Sequence, residues 1–565
     1  MGTDSTGLSR RSFFGAAAAG VGAVVGAPTL LTACSGGSGT TGNVNSKDLS
    51  GVLPNYVPAT GGPAPDLPSV AGQATAATDP GFLKYPTDLV KTVSAVPGSG
   101  GSYTAITPLW GPIPKANNPY YQAVNKALGA SVKVQPADGT NYVKTVPTLV
   151  AGGKLPDWIQ IPSWWNANVN VGELAISKFA DLTDHLAGDK VKKYPNLAAI
   201  PTGGWQAGVW QNRMYAIPSF TSQSNFSAVL FYRKDLLAAK GIDPASVTSA
   251  DTLYALGKEL TSASANVWAF DVLWLAIQQI FKVPPVGNPV SAANGKVVSA
   301  YDSPELEAAL AFAYKLAKSG YVHPDAVAGN EANAKQRFHA GKLLISADGP
   351  GAWNGPDAVA GLAVSPKYVR GAFPVFSHDG STPTIALSAS SGILSYLNKK
   401  LSPAQIDECL AIANYLAAPY GSAEYTLINY GVEGVDWTRG DTGPVYTTQG
   451  TKEANQMTYQ FLCSYRNIAT NPGHDDVTQA AHTWAADAVK HAYKPAFWNM
   501  NVNPPSRFAS TSTGTQVNDI IKEVTFGKKT VAEFKAAAAN WKSAGGQQLL
   551  DWHQKEVVDK FGTGQ

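Results

Sequence analysis

Five short runs decide the fold: Ile106-Thr107-Pro108-Leu109-Trp110, then 118–129, 132–134, 141–151, and Trp158-Ile159-Gln160-Ile161-Pro162. The run 106–110 reads as a short strand. Asn118 is an N-cap with Pro119 at the first helical position, and Gly129 closes that helix. Val132 and Val134 alternate as a strand. The run 141–151 is helical, with Gly152-Gly153 as its stop, and 158–161 is a strand ended by Pro162. Strand, helix, strand, helix, strand in that order predicts a parallel sheet with helices laid on it.

The same punctuation recurs further along. Val229-Leu230-Phe231 is a strand, and 233–239 opens a helix stopped by Gly241. Ser303-Pro304-Glu305 starts a helix with Leu306, Leu310 and Tyr314 on one face. The run 342–346 is a strand. Ser402-Pro403 starts another helix carrying Ile406, Leu410 and Leu416, and Thr530 with Glu533 forms a capping box.

Composition narrows the class. Of 565 residues, 44% are hydrophobic and 15% charged, so a large core is available and disorder throughout is excluded. Basic and acidic residues number 43 and 40, too balanced for a protein that grips nucleic acid by charge. Three cysteines build neither a disulfide scaffold nor a four-thiolate metal site. Cys409 and Cys463 are read equally well as a disulfide or as buried free thiols.

The N-terminus has the three regions of an export signal. Arg10-Arg11 precedes an uncharged Ala/Gly/Val-rich stretch that ends in Leu31-Thr32-Ala33-Cys34. The twin arginines point to Tat export, and the tetrapeptide to lipidation at Cys34. Residues 35–100, rich in Gly, Ser, Thr, Ala and Pro, read mostly as a tether, of which 82–96 could pack on the body.

The order of segments resembles the extracellular solute-binding lipoproteins of ABC importers, the carbohydrate-binding family 1. The resemblance rests on 142–157 with Ala151-Gly152-Gly153-Lys154-Leu155-Pro156-Asp157, on Phe179-Ala180-Asp181-Leu182-Thr183 and on Met214-Tyr215-Ala216-Ile217-Pro218. Tyr232-Arg233-Lys234-Asp235, Phe338-His339-Ala340-Gly341-Lys342 and Asn429-Tyr430-Gly431-Val432-Glu433-Gly434-Val435-Asp436-Trp437 complete it. It implies an α/β, two-lobed, periplasmic-binding-protein-like fold of type II, with mixed sheets flanked by helices and a hinge between discontinuous lobes. After signal (1–34) and tether (35–100), lobe 1 is then expected at 101–222 and 382–435, and lobe 2 at 223–381 and 436–565. The crossings are expected near 219–230, 374–387 and 433–436. The resemblance also implies a carbohydrate ligand, an ABC permease as partner, a membrane contact through the lipid alone, and a monomer without cofactor.

A sugar site combines flat aromatic surfaces for C–H faces with side chains that hydrogen-bond hydroxyls. In open α/β sheets such sites lie beyond strand carboxyl ends. Trp110 follows the first strand, Trp164 and Trp165 the third, and Asp348 with Trp353 the 342–346 strand. Asn225 lies at the first crossing, and Glu433, Asp436 and Trp437 in a Gly-flanked loop. Each has a plain reading: aromatics tucked into core, Asp348 capping a turn, Glu433 serving the hinge. Trp205 and Trp210 read as core, and Arg233 with Asp235 as a paired helix start. No nucleophile elbow, phosphate-binding loop or Cys-x-x-Cys occurs, and the His474-Asp475-Asp476/His482 cluster reads as solvated surface. The rivals to a sugar receptor are a carbohydrate-active hydrolase or lyase, a receptor for another solute such as a peptide, and a surface sensor or adhesin.

Overall fold

Asn118 caps the first helix as its position predicts. Its Oδ1 accepts from the Tyr121 amide at 2.7 Å, Pro119 occupies the first turn, and Gly129 leaves the helix at φ +62°. The structure, a computed structural model, describes residues 43–45, 48–60, 62–139, 141–284, 289–330 and 333–564. The export signal and Cys34 lie outside the described residues.

Nine strands build two sheets: β1 Ser102–Leu109, β2 Ser131–Asp138, β3 Trp158–Pro162, β4 Ala216–Ser219, β5 Val229–Arg233, β6 Trp268–Phe270, β7 Leu343–Asp348, β8 Arg370–Ala372 and β9 Ile393–Leu397. The first sheet runs β2-β1-β3-β9-β4. β1 is parallel to β2 and β3, as the opening stretch predicts. β9 is antiparallel to β3 and β4, with Ile393 opposite both Pro162 and Ser219, so the sheet as a whole is mixed. Tyr120, Val124 and Leu128 from one helix and Ile406 and Leu410 from another close one face. Tyr142, Val146, Leu174 and Ala175 close the other.

The second sheet runs β6-β7-β5-β8. Its core takes Leu253, Phe270, Leu310, Ile345, Val524 and Phe534. The helix starts read from sequence are in place: Ser303 caps Pro304–Lys318, and Ser402 with Gln405 and Thr530 with Glu533 form capping boxes. Arg233, 1% exposed, pairs with Asp235 at 2.9 and 2.7 Å, a structural clamp as expected. Trp205 and Trp210 are buried.

The chain passes between the lobes after Ser219 and back before Ile393. The two passages lie side by side: the Ser222 amide donates to the Ser390 carbonyl at 2.9 Å, and the Ser388 amide to that of Asn225 at 2.8 Å. A third passage joins them at 464–467. There the Phe220 amide donates to Ser464 Oγ and the Asn467 amide to the Thr221 carbonyl, both at 2.9 Å. This is some thirty residues later than 433–436, where the sequence suggested it. Ala454, Tyr459, Leu462 and Cys463 fill the first-lobe core instead. They sit in a stretch with almost no regular structure, so no periodicity marks their side.

The segment read as a tether lies on the body over its described part. Leu49 is buried in the first-lobe core, and Pro54 bridges Gly188. Gly81–Phe82 pairs in parallel with Ala469–Thr470, and Phe82 stacks on Tyr420 with ring centroids 4.3 Å apart. Apolar residues are sparse here, but Leu49 and Phe82 are both buried against the body. Cys409 and Cys463 are free thiols, both buried in one core. No helix among the described residues is long and apolar enough to cross a membrane.

Candidate functional site

Three tryptophans meet where β1 and β3 end. Trp110 follows Leu109 directly, and Trp164 and Trp165 sit in a tight turn after Pro162. That turn is held by the Ser163 amide, which donates to the Gly392 carbonyl at 2.9 Å. Ring centroids lie 6.2 Å apart for Trp110–Trp164, 6.1 Å for Trp110–Trp165 and 6.0 Å for Trp164–Trp165, within the range of favourable aromatic pairs. Trp165 is anchored from below by stacking on buried Tyr142 at 5.9 Å. Trp110 and Trp164 remain 52% and 55% exposed, so apolar faces stand open to solvent on a fixed base. Glycines permit this approach: a Cβ on Gly139 would lie 2.6 Å from the Trp110 ring, and one on Gly392 3.1 Å from that of Trp164.

Two phenylalanines that the sequence did not flag extend the cluster. Phe461 packs edge-on against Trp110 at 6.1 Å, and Phe220 against Phe461 at 6.1 Å. Phe220 is the first residue of the first passage, so the aromatic platform is continuous with the hinge. Its place just after a strand was the available signal; Phe461 carries none, lying in an irregular stretch.

The register places a second wall at the same end of the molecule. Ser219 and Pro162 flank the start of β9, and Asp348 lies opposite Val229, the first residue of β5. The tryptophan turn and the end of β7 therefore both border the passage 220–228. Beyond the ends of β6 and β7 opens a cavity of about 500 Å³, lined by Asp271, Trp274, Leu275, Phe338 and Asp348 among others. Trp274 is a residue that sequence reading missed, although it stands four residues past a strand like the others. Asp348 is exposed and accepts from its neighbour's Gly349 amide at 2.7 Å. The cationic groups beside it are engaged. Arg370 donates to both Asp357 oxygens at 2.9 and 2.8 Å, and Tyr368 and His339 donate to the same carboxylate at 2.7 and 2.9 Å. Burial alone would raise the Asp357 carboxyl, but these donors outweigh it and hold it below its ordinary value.

The other expected site residues lie apart from this cluster. Trp353 is half-buried edge-on against Phe231 at 5.6 Å and covers second-lobe core. Asn225 spends its amide on the Ala389 carbonyl at 2.7 Å, pinning two passages together. Glu433 is exposed and accepts from Arg439 at 3.0 Å. Asp436 is fully buried and accepts from the Val432 amide at 2.9 Å; Trp437, 5% exposed, donates to the Gly431 carbonyl at 3.1 Å. That loop is a closed turn, and its Trp437 is core. Among the described residues, no group of three or more His, Cys, Asp or Glu side chains is arranged to hold a metal ion.

Residues 120–432, more than half of the chain, match the family described as bacterial extracellular solute-binding protein. An uncharacterised ABC transporter extracellular-binding protein of Pyrococcus horikoshii is 24% identical over 141 residues, 24% of this chain and 29% of that relative's length. Among solved structures, the N-glycan transport solute-binding protein of Streptococcus pneumoniae aligns with a TM-score of 0.60. It is 18% identical over 82% of this chain and 99% of its own. A solute-binding protein of Bifidobacterium longum infantis, described as binding HMO, aligns with a TM-score of 0.58. It is 15% identical over 82% of this chain and 99% of its own. At these identities the likeness shows a shared two-lobed, type II periplasmic-binding fold.

Proposed function

The chain belongs to the bacterial extracellular solute-binding proteins, and from that premise we propose that it captures an oligosaccharide between its lobes and delivers it to an ABC permease. The observation that carries this reading is the exposed tryptophan platform at the strand ends of the first lobe, with Asp348 and Trp274 lining a cavity at the strand ends of the second. Stacked indoles offer broad, rigid faces for pyranose C–H surfaces, and carboxylate and amide groups opposite serve the hydroxyl rim. Ligand acts by population shift: it touches both walls only when the lobes are together, so it stabilises that state. No bond is made or broken. The names of two structural relatives, one for N-glycan transport and one for HMO binding, support glycans as the ligand class. The reading extends to Tat export, lipidation at Cys34 and a monomeric receptor at the outer face of the cytoplasmic membrane. The lobes are then 102–219 with 393–463 and 229–372 with 508–561.

The test is a thermal-shift screen of the chain without residues 1–34 against mono- and oligosaccharides. A ligand that binds only the native state raises Tm. One glycan class is expected to raise it with no product formed. Trp110→Ala and Trp164→Ala should then each weaken that glycan by roughly 30-fold while lowering the ligand-free Tm only slightly, since about half of each ring faces solvent. Shifts with peptides alone would move the ligand class, and released product would make the protein an enzyme.

A further inference from the structure

Past the third passage the chain does not stay in one lobe. Asn499 binds the hinge: its Oδ1 accepts from the Ser390 amide at 3.1 Å, and its Nδ2 donates to Ser390 Oγ at 3.2 Å. Asn501 fastens to the first lobe, donating to the carbonyls of Ala207 and Val209 at 2.7 and 2.9 Å. Asn503 lies over Gly172, where a Cβ would come within 2.6 Å of its side chain. Five residues later Phe508 is buried with Val290, Leu549, Leu550 and Trp552, on the second-lobe side. The Thr511 carbonyl accepts from Trp541 Nε1 at 2.9 Å, and that of Gly514 from the Tyr301 hydroxyl at 3.3 Å. The chain thus returns to the first lobe before Asn501 and leaves it again between Asn503 and Phe508, through Pro504-Pro505.

This passage is not another hinge strand. Helix Ala509–Thr513 packs against helix Asn166–Val169, which continues directly from the tryptophan turn. The next helix, Thr515–Thr525, lines the second-lobe cavity with Asn518, Ile521 and Lys522. The segment therefore starts at the hinge, runs along the first lobe and ends touching both walls of the candidate site. Two prolines stiffen the short stretch between Asn503 and Phe508, and residues at both ends hold left-handed backbone, Asn499 at φ +53° and Gly514 at φ +57°.

We propose that residues 499–514 form a side strap that ties the lobes together outside the three-strand hinge and shuts the cleft on the flank beside Trp165. Two tie points define an axis, so the lobes rock about the line from hinge to strap and do not swing fully apart. Ligand enters from the opposite flank. The strap deepens the capture reading, but its test needs no ligand, so the two can fail separately.

Spin labels at Gln122→Cys on the first lobe and Lys258→Cys on the second report lobe separation in the full chain carrying Cys34→Ser. Both positions are exposed, whereas Cys409 and Cys463 are buried and stay unlabelled. With the strap intact, one narrow distance is expected. A Gly-Gly insertion between Asn503 and Pro504 lengthens the tie between Asn501 and Phe508, and should shift the distances longer and broaden them. Asn501→Ala, which cuts the first-lobe anchor, should do the same. The proposal is overturned if the insertion leaves the parent distribution unchanged, or if the parent is already as broad as the insertion variant.

Discussion

Asp79 shows what one side chain does at a junction. Its Oδ2 accepts from Ser222 Oγ at 2.9 Å and from Asn467 Nδ2 at 2.7 Å, so a residue of the N-terminal segment clasps the first and third passages. Burial pushes its carboxyl up to about 6, with the Asn467 and Ser222 bonds and the charge of Arg466 pulling the other way. Between the ordinary carboxyl value and about 6, the native state holds a proton that the unfolded state has released. Stability therefore falls as pH rises through that window and levels off above it. Melting curves from pH 4 to 8 should show this fall, and Asp79→Asn, which keeps an acceptor and cannot ionise, should flatten it. An unchanged slope in the variant would place the titration elsewhere. At this scale the sequence was readable where a residue's role is local. Trp110, Trp164 and Trp165 stand just past strands, and their grouping was legible. Asn225 and Trp437 were not, because what they touch is set by segments over a hundred residues away for the one and by a closed turn for the other.

Elements were legible wherever a cap or a stop marks them. Ser303, Ser402 and Thr530 act within three residues of themselves, and those helices begin where they predict. The N-terminal segment lacks such marks, and its packing was legible only in outline. It has few apolar residues, yet Leu49 and Phe82 are each 7% exposed, and Tyr85 OH lies 2.7 Å from Thr426 Oγ1. Burying those two apolar side chains contributes about 4 kcal/mol. A chain begun at residue 101 should consequently melt well below one begun at residue 43, and bind its glycan less tightly for want of the Asp79 clasp. Equal Tm values would return the segment to the role of a spacer.

At the scale of the whole molecule, the two-lobed plan was legible and its borders were not. The first two passages each follow a strand. The later ones lie in irregular chain, where only long-range packing decides which lobe a residue joins. The thiols give a check on that packing. Cys409 and Cys463 occupy one buried core, and burial pushes both thiols well above their ordinary range. Neither should react with a thiol reagent until the protein unfolds, and a reductant should leave Tm unchanged. A drop in Tm on reduction would reveal a disulfide. Of the fourteen tryptophans, twelve are buried or half-buried, and the two exposed ones are Trp110 and Trp164. The protein thus carries an intrinsic optical gauge. A dissolved quencher such as iodide dims chiefly the light that comes from the platform, and a guest that covers those rings restores it and shifts it to the blue.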